Sequence, residues 1–175
     1  MLKITKYVVK DIVRSKIVLA YAGLLLAGSL GLFNLGGDTA KGLIGLLSLV
    51  LMVVPLVSLI FGTIHFYNSY EFIELLASQP LKRRTILLAE FMGVSIALCS
   101  AFLLGVGVPV LLYAANATGL TLLGVGLMLT VIFIALAFLG AVATRDKARG
   151  IGVAMLMWFY FALLHGGVML FVMFT

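Results

Sequence analysis

Residues 43–67 read LIGLLSLVLMVVPLVSLIFGTIHFY, 25 positions without one formally charged side chain. A helix needs about 20 such residues to cross a hydrocarbon core of ~30 Å. The period-2 alternation of a membrane barrel strand is absent, and inside hydrocarbon every backbone N–H and C=O must be satisfied within the segment, so the stretch is a helix. Four further apolar blocks have the same character, at Ile17 to Leu35, Ile86 to Tyr113, Leu122 to Thr144 and Ile151 to Phe174. The expected fold is all-α and membrane-embedded: one transmembrane domain over residues 1–175 with five spans.

Composition agrees. Of 175 residues, 64% are hydrophobic and 10% charged, whereas soluble domains run at roughly 45–50% and about 25%. A soluble enzyme domain is excluded. The net charge of +6 does not indicate nucleic acid, because the basic residues lie in short segments between apolar blocks and face the membrane surface or a protein partner. A lone cysteine, Cys99, cannot form an internal disulfide. No C-x-x-C, no H-E-x-x-H and no Gly-x-x-x-x-Gly-Lys-Ser/Thr loop occurs, so the chain offers no catalytic residues and no cofactor site and is not expected to hydrolyse ATP.

Lysine and arginine set the orientation. Lys3, Lys6, Lys10, Arg14 and Lys16 precede the first span; Lys82, Arg83 and Arg84 lie in the second connection, and Arg145, Lys147 and Arg149 in the fourth. Lys41 stands alone on the other side. Under the positive-inside rule the N-terminus is cytoplasmic, and five spans leave the C-terminus outside, as in a multi-pass protein of a bacterial inner membrane. On a helical wheel Lys3, Lys6, Lys10 and Arg14 form a stripe opposite Ile4, Val8 and Ile12. Residues 1–16 are therefore expected to form an amphipathic helix at the headgroup boundary, in contact with lipid. Pro55 and Pro109 predict local bends in the second and third spans.

The second connection carries the functional signal. Residues 68–84 read NSYEFIELLASQPLKRR. Phe72, Ile73, Leu75 and Leu76 give a short helix an apolar stripe, Glu71 and Glu74 occupy its other face, and Pro80 stops it. A cytoplasmic helix with such a face either docks on a protein or lies on the membrane.

Here the sequence resembles the permease subunits of type-2 ABC exporters, through Glu71, Glu74, Leu75, Leu76, Ser78, Gln79, Pro80, Arg83, Ile86 and Gly93. Within that family it is most like the Nos-system permeases, which work in maturation of the copper enzyme nitrous oxide reductase. The stretch 146–150 followed by Trp158-Phe159-Tyr160 is similar to that family's fourth connection and fifth span, and the basic N-terminal helix to its elbow helix. The resemblance implies a cytoplasmic ABC ATPase subunit that binds ATP and Mg, a second permease copy, and residues 68–85 as the segment that couples to the ATPase. It further implies a sixth span and a cytoplasmic tail beyond Thr175, making this chain a fragment or truncated product. One departure is local: Leu164-His165 stands where a Tyr-Asp pair is expected. A reading from another class is a membrane scaffold that recruits cytoplasmic partners without transport.

Single polar residues remain. Glu90 is expected to pair with Arg83, seven residues earlier on nearly the same helical face, or to snorkel to the interface. His65 is assigned no chemistry. His165, Met169 and Met173 recur every four residues, a ligand set suited to Cu(I), although methionine is also the common filler of apolar interiors. The charge asymmetry is tested by reporter fusions. A reporter active only outside the cytoplasm should work after Thr175, and one active only inside should work after Arg84; opposite results would invert the topology.

Overall fold

The structure, a computed structural model, describes residues 9, 12, 15–35, 38–69, 83–144 and 146–174; for residues 35, 83, 165 and 168–174 it describes the backbone alone. The helices are α1 (Lys16–Leu35), α2 (Thr39–Asn68), α3 (Arg83–Phe102), a π-helical turn (Leu103–Gly107), α4 (Val108–Tyr113), α5 (Ala117–Ala143) and α6 (Lys147–Phe174). No strand occurs among the described residues. Because α3, the π turn and α4 are continuous, the helices form the five expected spans. The N-terminal halves of two connections set where helices begin. Asp38 Oδ1 accepts the Ala40 N–H at 3.4 Å and Asn116 Oδ1 accepts the Gly119 N–H at 2.8 Å. These caps start α2 and α5 four to five residues before their apolar blocks.

Helix α2 is the centre of the bundle, packed on α5, α6 and α1, while α3 rests on α5 and α1. At about 1.5 Å per residue its 30 residues span about 45 Å, so both ends of α2 reach past a ~30 Å core. One buried cluster joins α1, α2, α3 and α5 around Leu25, Leu46, Leu98, Phe102 and Ile134. A smaller one, Leu59, Phe133, Ala137 and Ala154, fastens α6 with help from Trp158, whose Nε1–H donates to the Met52 carbonyl at 3.1 Å. The third span is 61% buried over its most apolar window and α6 only 11%, so α6 is peripheral. Leu112, Met128, Leu139 and Leu156 point outward with exposures of 68–72%, which suits lipid and not water.

Of the expected N-terminal amphipathic helix, Val9 and Ile12 are described. Both are helical, and Ile12 is 2% exposed within the main core, so this position packs on protein rather than on headgroups. The rest of residues 1–14 lies outside the described residues. Helix α2 stays helical through Pro55, whereas the third span changes register just before Pro109. Proline has no N–H, and in an α register its missing donor would have served the Gly105 carbonyl. That carbonyl instead accepts from Ser29 Oγ–H of α1 at 2.9 Å, a proton shared with the Leu26 carbonyl at 3.0 Å. Gly105 lets α1 come this close: a Cβ there would lie 2.6 Å from Leu25 Cβ and 2.9 Å from the Ala22 carbonyl oxygen.

Close approach through small residues recurs at Gly126, where a Cβ would overlap the buried ring of Phe102. Lipid supplies no hydrophobic drive between spans, so such fits carry the association. Gly126→Val should therefore destabilise the bundle by roughly 1–3 kcal/mol, read as a lowered thermal midpoint in detergent. Gly124→Val, where a Cβ meets nothing within 4 Å, should leave the midpoint unchanged.

Candidate functional site

The last turn of α2 is an apolar helix ending in a run of polar groups, His65, Tyr67, Asn68 and Ser69. Each reaches a different neighbour. The helix-end geometry is regular, with Ser69 N–H bonded to the His65 carbonyl at 2.9 Å, so the side chains fan out from a fixed base.

Towards α3, His65 Nε2 lies 3.1 Å from Glu90 Oε2. The His65 side chain is 15% exposed and that of Glu90 2%. Donation to the carboxylate requires the hydrogen on Nε2; Ser69 Oγ lies 3.3 Å from the same nitrogen. Phe61 stacks on the imidazole, centroids 5.9 Å apart and planes 12° apart, and fixes its orientation. A buried carboxylate without such a partner is strongly unfavourable. This corrects the sequence expectation for both residues: Glu90 does not snorkel, its observed partner is His65, and His65 has a defined role. Spacing along one helix pointed to Arg83, whose side chain is not described. The partner observed sits on a neighbouring helix at similar depth, a pairing that a single-helix wheel cannot display.

Towards the α5–α6 turn, the Tyr67 hydroxyl meets the Ala141 carbonyl at 3.2 Å, Thr144 Oγ1 at 2.8 Å and, closer still, the Thr144 carbonyl. The ring occupies the space over Gly150, where a Cβ would come within 2.6 Å of the Tyr67 ring carbon Cε2. Lys147 Nζ donates to Asn68 Oδ1 at 2.8 Å on the exposed side. Phe66, Phe138 and Phe91 interleave edge to face behind this joint, with centroid separations of 5.4 and 5.9 Å. Thus one helical turn holds α3 on one side and α5 and α6 on the other. Sequence reasoning missed Thr144, Gly150 and the Asn68–Lys147 contact. The available signal was a tyrosine at a span end, a residue with an apolar ring and one polar tip that must find an acceptor.

The geometry also closes a loop. Residue 69 leaves α2 and residue 83 opens α3, so the His65–Glu90 pair ties together the two helices between which the connection runs. Of the sequence-predicted site residues, Glu71, Glu74, Leu75, Leu76, Ser78, Gln79 and Pro80 lie outside the described residues, and Arg83 is placed by its backbone at the start of α3. His165, Met169 and Met173 fall on α6 by backbone, with side chains outside the description. Among the described residues, no three His, Cys, Asp or Glu side chains gather as a metal site.

No protein-family profile matches the chain. Among curated proteins it is similar to one from Pseudomonas aeruginosa described as a probable ABC transporter permease protein NosY, with 28% identity over 158 residues, 83% of this chain and 56% of the relative. The chain thus spans little more than half the length of that relative. The resemblance to Nos-type ABC permeases is borne out over most of this chain.

The buried pair is tested by a double-mutant cycle. His65→Ala strands the Glu90 carboxylate and should cost roughly 3 kcal/mol. Combining it with Glu90→Leu should recover a large part of that loss in the same detergent unfolding assay. Additive losses would show that the two side chains do not interact.

Proposed function

We propose that the chain is the membrane-spanning part of a permease subunit of an ATP-driven ABC exporter. The observation that carries this reading is the double anchorage of the last turn of α2, by His65 to Glu90 of α3 and by Tyr67 to the α5–α6 turn. A segment rooted there transmits displacement to four spans at once, the arrangement a coupling element needs. Its similarity to an ABC permease over 83% of the chain supports the same assignment.

In this reading the connection between α2 and α3 faces the cytoplasm. Glu71, Glu74, Leu75, Leu76, Ser78, Gln79, Pro80 and Arg83 form its contact with an ATPase subunit that holds ATP and Mg, and two permease copies enclose the path. Closure of the ATPase dimer pushes the segment, and the two joints pass the motion to α3, α5 and α6 as a two-state change. The likeness to a Nos permease supports a cargo serving copper-enzyme maturation, in the inner membrane of a bacterium.

The test uses the full chain with its ATPase. Changing Leu75 and Leu76 to Asp puts charge on the docking face, where an unpaired buried carboxylate is costly. The ATPase should cease to co-purify while membrane insertion is unaffected; an ATPase that stays bound would remove the docking role. Tyr67→Phe separates transport from a scaffold. It should keep the ATPase bound yet lower ATP turnover of the assembly, and unchanged turnover would favour the scaffold.

A further inference from the structure

At the Asp38 end of the bundle, opposite the joints of His65 and Tyr67, α2 and α5 part to leave an open cavity of about 640 Å³. Towards the other end the same helices are in close contact, where a Cβ on Gly62 would lie 2.9 Å from Ala137 Cβ. The glycines of α2 nearer the cavity, Gly42 and Gly45, face Phe33 and Leu32 of α1 instead. The two helices therefore splay apart over their first turns. The volume is within the range of about 300–1,000 Å³ typical of ligand sites.

The cavity is graded along its depth. Its mouth is formed by the cap Asp38 and Thr39 at the start of α2 and by the cap Asn116, Thr118 and Thr121 at the start of α5. Its floor is Leu43, Ile44 and Leu47 on one wall and Leu122 and Val125 on the other. From Asp38 to Leu47, and from Asn116 to Val125, is nine residues in each case, about 13 Å of helix rise. One leaflet is half of a ~30 Å core, about 15 Å. Both walls thus change from polar to apolar together and run the depth of one leaflet.

Charge narrows the occupant. Among the described residues lining the cavity, Asp38 is the one with a charged side chain, and it is exposed; Lys41, also exposed, lies one turn further along α2 and outside the lining. Asn116 Oδ1 is committed to the Gly119 N–H, and Thr121 Oγ1–H to the Thr118 carbonyl at 2.8 Å. What the α5 rim presents is the Asn116 NH₂ and the exposed Thr118 hydroxyl, donors suited to ester or phosphate oxygens. A carboxylate at the mouth attracts a cationic amine and repels an anionic headgroup.

We propose that this cavity is a binding site for a phospholipid with an amine headgroup, one acyl chain lying between α2 and α5 and the ammonium group at Asp38. An anionic lipid would meet Asp38 with the wrong sign. A span of another chain turns polar at the same depth and is the competing occupant.

The experiment is native mass spectrometry of the full chain in detergent, titrated with dioleoylphosphatidylethanolamine or dioleoylphosphatidylglycerol. One ethanolamine lipid per chain should be retained, about fivefold more tightly than the glycerol lipid, the effect of one exposed charge contact. Asp38→Asn should erase that preference without loss of folding, since asparagine caps a helix as well as aspartate. Val125→Trp fills the cavity from an exposed position and should weaken retention of both lipids about tenfold while the thermal midpoint holds. Equal binding of the two lipids to the parent chain would overturn the headgroup assignment. Retention indifferent to Val125→Trp, or a dimer whose formation expels the lipid, would overturn the site.

Discussion

Inside hydrocarbon a backbone carbonyl has no water to turn to, and the bundle is organised around that fact. Its sharpest expression is at Gly105. Pro109 withdraws the donor that an α register would supply, the helix widens to a π turn, and a serine from α1 enters to bond the carbonyl left over. Three residue choices answer one constraint: a proline that opens the ladder, a glycine thin enough to admit a neighbour, and a hydroxyl on that neighbour. The close packing of α1 on the third span follows from this exchange.

Polar chemistry elsewhere is concentrated at one end of the bundle. His65, Glu90, Tyr67 and Thr144 are all held by side-chain hydrogen bonds between helices, while the spans beyond them meet mostly through aliphatic and aromatic contacts. Low dielectric makes each such bond stronger and each loss more serious. Side-chain joints between helices therefore cluster where the connection between α2 and α3 is rooted, and α2 and α5 part at the opposite end.

The number, type and extent of the spans were legible in the sequence, because hydrocarbon thickness and backbone satisfaction leave a run such as residues 43–67 no other form. Helix starts were off by a few residues, since Asp38 and Asn116 cap from within loops that hydropathy treats as uniformly polar. The joints were less legible. Glu90 stood out as a carboxylate in an apolar run, but its partner could be named only once α2 and α3 were set side by side. Tyr67 reaches main-chain oxygens, which every residue possesses, so no motif announces the acceptor.

The Tyr67 joint has an uneven informational demand. Two of the three oxygens within reach of its single proton are peptide oxygens, at Ala141 and Thr144, and they would persist under almost any substitution at those positions that keeps the helix end in place. The donor side, by contrast, needs a phenol of one reach, and the floor beneath it needs the bare Cα of Gly150. Drift on one partner is thus nearly silent while drift on the other is disruptive. A covariation search for paired changes would pass over this contact, although it binds three helices together.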